Sequence, residues 1–96
     1  MNKVITIYEE NHGMIGVATS RKTAAMFLIK DNWFCAYDDI WVCAERKHYP
    51  AYQLMGKASV EEVTERELAS FLLHAMNSEE YDTCFIFREV DVWEEE

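Results

Sequence analysis

The sequence predicts an α+β fold, a mainly antiparallel sheet of about four strands with two main helices packed on one face. Three observations lead there. Short segments rich in β-branched and aromatic residues are separated by brief turn signals, two longer stretches carry helix caps and helical spacing of apolar residues, and strand-helix-strand repeats are few. The chain of 96 residues is half hydrophobic and contains only three Gly and one Pro. That composition suits one domain, 1–96, with one core, and not a disordered tail.

Residues 3–8 and 14–19 read as the strands of a hairpin. Between them Glu9-Glu10-Asn11-His12-Gly13 supplies turn chemistry, because Asn and Gly tolerate the positive φ of a reversal. Ile5 and Ile7 should share one face, matched by Ile15 and Val17 on the second strand. Ser20 is the expected N-cap of the first helix, in which Ala24, Phe27 and Leu28 fall at i, i+3 and i+4 and Asp31-Asn32 closes the segment. Arg21 and Lys22 are unfavourable in its first turn, opposing the helix dipole by roughly a few tenths of a kcal/mol each.

Residues 38–44 alternate, with Ile40, Val42 and Ala44 on one side and Trp41, Cys43 and Glu45 on the other, which predicts a strand. Pro50 at a first helical position and Gly56 just past Met55 frame a short helix. The strongest helical signal is the capping box Thr64-Glu65-Arg66-Glu67, followed by an apolar stripe of Leu68, Phe71, Leu72 and Ala75 and ended by Asn77, which accepts the left-handed conformation. Residues 83–93 form the last strand. Cys84-Phe85-Ile86-Phe87 is apolar on both faces, so its start is expected in the sheet interior, and the alternation from Arg88 onward predicts a half-exposed end.

The charge is unevenly placed. Eighteen acidic and nine basic side chains give a formal net charge of −9. Residues 1–57 carry seven basic and six acidic groups, whereas residues 58–96 carry two basic and twelve acidic ones. The surplus therefore belongs to the C-terminal part. It excludes generic electrostatic attraction to nucleic-acid phosphates or to an anionic membrane, so no direct nucleic-acid or membrane partner is expected. A solvated, solubilising surface is one reading of this acid. The other is a negative field formed by Glu61, Glu62, Glu65, Glu79, Glu80, Asp82, Glu89 and Asp91, extended by Glu94 to Glu96, that docks on a protein with a basic, nucleic-acid-binding surface. Trp93 and Tyr81 could anchor such a contact or belong to the core.

Enzymatic signatures are sparse. Cys35, Cys43 and Cys84 form no C-x-x-C pair and are odd in number, and each lies among apolar neighbours, which predicts reduced, buried thiols in a cytosolic protein. Their spacing to His12, His48 and His74 fits no zinc motif. His12 reads as a hairpin-turn residue, His48 as part of a turn and His74 as the flank of the last helix. Asp38 and Asp39 are adjacent and would point in different directions on a strand. Neither a phosphate-cradling glycine loop nor a nucleophile elbow is present. No cofactor, metal or catalytic residue is assigned. The cations Arg21, Lys22, Lys30, Arg46 and Lys47 with Tyr49 and Tyr52 could in principle stack bases, against the opposition of the surrounding acid. The opening residues run straight into strand-like alternation, so no signal peptide is expected, and no apolar run is long enough to span a bilayer.

The opening Tyr8-Glu9-Glu10-Asn11-His12-Gly13, followed by a helix and Trp33, resembles the start of small uncharacterised proteins encoded by phages and prophages of Gram-positive bacteria. The resemblance covers about the first third of the chain. It implies a mobile-element origin and a role in host interaction, including inhibition of a CRISPR nuclease or another defence protein, and it carries no catalytic residue with it. The expected function is thus non-enzymatic contact with a basic host protein, possible mimicry of nucleic acid included. The alternative is a structural module that homodimerises through a strand edge or helix face.

Overall fold

A computed structural model describes residues 2–93. The element order is β1 (Asn2–Glu9), β2 (Gly13–Ala18), α1 (Arg21–Lys30), β3 (Asp39–Val42), β4 (Lys47–Pro50), α2 (Ala51–Leu54), α3 (Glu65–Asn77), β5 (Tyr81–Asp82) and β6 (Phe85–Val92), with a 3-10 turn at Val60–Glu62 before α3. The α+β class is as expected, but the sheet is not one unit of about four strands. Two antiparallel three-stranded sheets form instead, ordered β2-β1-β6 and β4-β3-β5.

The second sheet exists because the chain reverses after Val42. Arg46 takes a left-handed conformation (φ 56°) and its N–H donates to the Val42 carbonyl at 2.8 Å, so Cys43, Ala44 and Glu45 become a turn and not the end of a strand. His48, expected in a turn, then lies on β4 opposite Trp41. Pro50 ends β4 in an extended conformation and caps α2 from outside, one position earlier than expected. Gly56 just beyond has φ +77°, which glycine adopts without the steric cost of a side chain.

In the first sheet β1 is central and β6 pairs with it from Asn2↔Val92 to Glu9↔Phe85. β6 is therefore an edge strand, contrary to the interior position that its apolar start implied. Ile5 and Ile7 face inward beside Phe85 and Phe87, as their burial shows. On β2 the inward residues are Ala18 and Gly16, opposite Ile5 and Ile7, while Val17 sits opposite Thr6 and faces out. The reason is space. A Cβ on Gly16 would stand 3.0 Å from Cε1 of Phe27, so α1 comes down onto the strand where the side chain is missing. Ile15 is the unpaired residue of a bulge between the Ile7↔Gly16 and Tyr8↔Met14 pairs, and it is half-buried.

Both main helices start on their expected caps. Ser20 Oγ accepts from Thr23 N–H and Thr64 Oγ1 accepts from Glu67 N–H, each at 3.1 Å. The Glu67 carboxylate pairs with Lys57 Nζ at 2.9 Å, which fastens the incoming loop to the helix. Asn77 is the last helical residue and Ser78 leaves in an extended conformation; the left-handed non-glycine residues are Asn32 and Arg46. α1 packs on β1 and β2, and α3 packs on α1 and against β5. Ala24, Ala25, Ala69 and Ala75 are buried in these helices, and their small side chains allow the helices to approach closely around Leu28 and Leu72. Ile40 joins the second sheet to the same core, and Phe34 meets Phe85 edge-on at 6.0 Å. No helix among the described residues is long and apolar enough to cross a membrane.

Candidate functional site

The eight carboxylates expected to act together are all exposed, but the fold divides them into three groups. Glu61, Glu62 and Glu65 stand at the N-terminal end of α3, where the dipole favours them, and Glu62 Oε2 accepts from Ala58 N–H at 2.9 Å. Glu79, Glu80 and Asp82 follow the C-terminal end of the same helix, about 20 Å away at the rise of a 13-residue helix. Glu89 and Asp91 are on the first sheet, where Asp91 lies opposite Lys3 and Glu89 pairs with Lys3 Nζ at 3.1 Å. The triplet Glu94 to Glu96 lies outside the described residues. The eight residues thus belong to three different parts of the fold.

A different set of carboxylates does converge. On the outer side of the second sheet, Glu10, Asp39 and Asp82 line a cleft of about 460 Å³ with Trp41, His48, Thr83 and Cys84. The Trp41 and His48 rings stand 4.9 Å apart across the β3–β4 ladder. Glu10 and Asp39 were not singled out as members of a site, because the turn and strand that carry them are far apart in sequence. Partial desolvation, with the Glu9 and Glu10 carboxylates, pushes the Cys84 thiol up from its ordinary value although the residue keeps an exposed side. Burial likewise raises Cys35, aided by Asp38. All three cysteines are largely exposed, correcting the expectation of buried thiols, because each lies in a connection and not inside an element. Among the described residues no group of three His, Cys, Asp or Glu side chains is placed to hold a metal ion.

The β1–β2 turn has its own polar assembly. Among the described residues Glu9 is the one charged side chain that is buried, 8% exposed. It hydrogen-bonds His12 Nδ1 and accepts from Asn11 N–H at 3.1 Å, contacts that hold its carboxyl below the usual carboxylate range. The His12 ring in turn meets Trp33 edge-on at 5.0 Å. The motif Tyr-Glu-Glu-Asn-His-Gly therefore serves as a turn that is pinned by its own side chains, with Gly13 at φ +73°. His74 stacks at the margin of Phe71 and Tyr81, and Tyr81 is half-buried there. The cations proposed for base stacking are dispersed between α1 and the β3–β4 turn, and Tyr49 is engaged by Glu45.

The outer side of the first sheet is largely apolar. Pairing fixes which residues share the outer side of the first sheet: Val4, Thr6 and Tyr8 on β1, Met14 and Val17 on β2, and Ile86, Arg88, Val90 and Val92 on β6. Met14 is 58% exposed, Val17 57%, Ile86 53% and Val90 41%. Among the described residues no carboxylate belongs to this side. Its one charge is Arg88, whose guanidinium lies 5.1 Å from the centre of the Tyr8 ring and makes no ion pair among the described residues. The sequence held the signal for this face. β1 reads Val-Ile-Thr-Ile-Tyr and β6 Phe-Ile-Phe, apolar on both sides, the pattern of strands meant to be covered twice. Trp93, just past β6, is 76% exposed.

No protein-family model, curated protein or solved structure matches the chain. Function is therefore argued from the surfaces themselves.

Proposed function

We propose that this chain is a non-enzymatic domain that works by protein contact, and that the outer side of the β2-β1-β6 sheet is its contact surface. The observation that carries the reading is the uncovered cluster of Met14, Val17, Ile86 and Val90 on a side where the described residues place no carboxylate, in a chain with eighteen acidic side chains. Exposed apolar surface on this scale marks interaction sites. The raised thiols favour contact over catalysis. The likeness of Tyr8 to Gly13 to the opening of phage and prophage proteins supports a partner in the host cell, a defence protein being one class. Mimicry of nucleic acid is the weaker form of this reading, since its eight carboxylates stand in three separate groups.

Site-specific photo-crosslinking in the cell of origin tests the proposal. A benzophenone amino acid at Val17 or Ile86 should capture one discrete partner, and the same group at Glu61 or Glu79 should not. Capture from the acidic positions alone would transfer the function to the carboxylates and overturn the reading.

A further inference from the structure

The open side of the first sheet has dimensions that select among occupants. Three strands spaced about 4.8 Å apart, β1 and β6 with eight residues and β2 with six, at about 3.4 Å per residue give a surface about 14 Å wide and up to about 27 Å long, or about 360 Å². A second copy laid face to face would bury about half of the roughly 800 Å² per partner that a standard interface uses. It would also bring two Arg88 guanidiniums into one layer that holds no carboxylate among the described residues, and burying unpaired charge is strongly unfavourable. An extended segment would bind a sheet edge by its backbone and leave this side open. An α-helix is about 10–12 Å across, and 27 Å is the length of about 18 helical residues. The opposite side of the same sheet already takes a helix, α1.

We propose that the occupant is an amphipathic helix of a partner protein, about 18 residues long, whose apolar side covers Val17, Tyr8, Ile86 and Val90 and carries one carboxylate that pairs with Arg88. The charge of the site decides the chemistry of the partner. Arg88 is placed mid-strand on the sheet, held over Tyr8, with its backbone carbonyl accepting from Thr6 Oγ1 at 3.2 Å. A bidentate carboxylate satisfies a guanidinium on entering an apolar contact, whereas a basic partner would meet repulsion there. This inference rests on the outer side being the contact surface and adds the form and charge of what binds.

The test is selection of a displayed library of 18-residue helical peptides, randomised along one side, against the full chain. Selected peptides should carry Asp or Glu near the middle of the apolar side and bind at least tenfold more weakly to Arg88→Glu, with Arg88→Gln intermediate. Selection repeated on Arg88→Glu should return Lys or Arg at that position. Circular dichroism spectra matching wild type establish that the variants fold. Peptides that lose binding to the Val17→Asp, Ile86→Asp double variant yet show no preference for acid would overturn the helix-carboxylate pairing while leaving the contact surface in place. Failure to recover any peptide sensitive to that double variant would overturn both.

Discussion

Gly16→Ala tests whether α1 is seated on the first sheet by a missing side chain. An added Cβ would lie 3.0 Å from Cε1 and 3.1 Å from Cζ of Phe27, and 3.4 Å from Cδ1 of Ile7. Carbon atoms pack best at about 3.5–4.0 Å, so the methyl overlaps the ring by about half an ångström or more. Overpacking of this kind costs about 1–3 kcal/mol. Against it, alanine restricts the unfolded chain and favours the strand by about 0.5–1 kcal/mol. The expected net loss is about 1–2 kcal/mol, a fall in Tm of roughly 4–16 °C for a domain of this size. Urea unfolding should register it as a lower midpoint at unchanged slope. The same substitution in a Phe27→Leu background, where the ring atoms are gone, should be neutral or slightly stabilising. An equal loss in both backgrounds would refute the steric argument, because the cost would then not come from Phe27.

Three further outcomes follow from the geometry. Thr64→Ala should lower stability by about 1 kcal/mol by freeing the Glu67 N–H, readable in urea unfolding. Glu9, held below its ordinary value near 4.5 by His12 and Asn11, contributes stability above that pH and loses it as pH falls through the lower folded value. The unfolding midpoint of Glu9→Gln should therefore vary less than that of wild type between pH 6 and pH 3, as chosen for the titration. Cys84 and Cys35, with raised thiol values, should be alkylated by iodoacetamide several-fold more slowly than a free cysteine at neutral pH, with rates that climb steeply as pH rises, followed by mass spectrometry.

Local chemistry was legible because its partners are near in sequence. Ser20 and Thr64 cap helices three residues ahead of the N–H groups they accept, and Gly13 sits in the reversal that its own neighbours form. What the sequence hid depends on distant strands. Val17 and Gly16 compete for the inward side of β2, and hydropathy favours Val17, but Phe27 of α1 decides for Gly16. Likewise Phe85 to Phe87 looks like an interior strand, and only the pairing with β1 reveals an edge with Ile86 uncovered. β4 and β5 are short and polar, with four and two residues, so no periodicity could develop within them. The cleft of Glu10, Asp39 and Asp82 is illegible in the sequence because a turn and two strands far apart along the chain bring it together.

The charge and the apolar face explain one another. A formal net charge of −9 makes copies of the chain repel at a distance, which opposes the self-association that an uncovered sheet would otherwise promote. Repulsion of that kind works best when the charge is spread, and the carboxylates are spread, at both ends of α3, over the outer cleft of the second sheet and along the inner-side end of β6. It would fail as protection if acid were built into the face itself, because the contact would then lose its apolar character. The one cation on that face, Arg88, is of the opposite sign to the chain as a whole. A second copy thus meets long-range repulsion and, at contact, an unpaired guanidinium. A partner with a local carboxylate on an apolar helix meets neither obstacle if its overall charge is neutral or positive. On the proposed reading, the acidity that suggested a basic partner instead helps to keep the apolar face free for a partner that brings its own carboxylate.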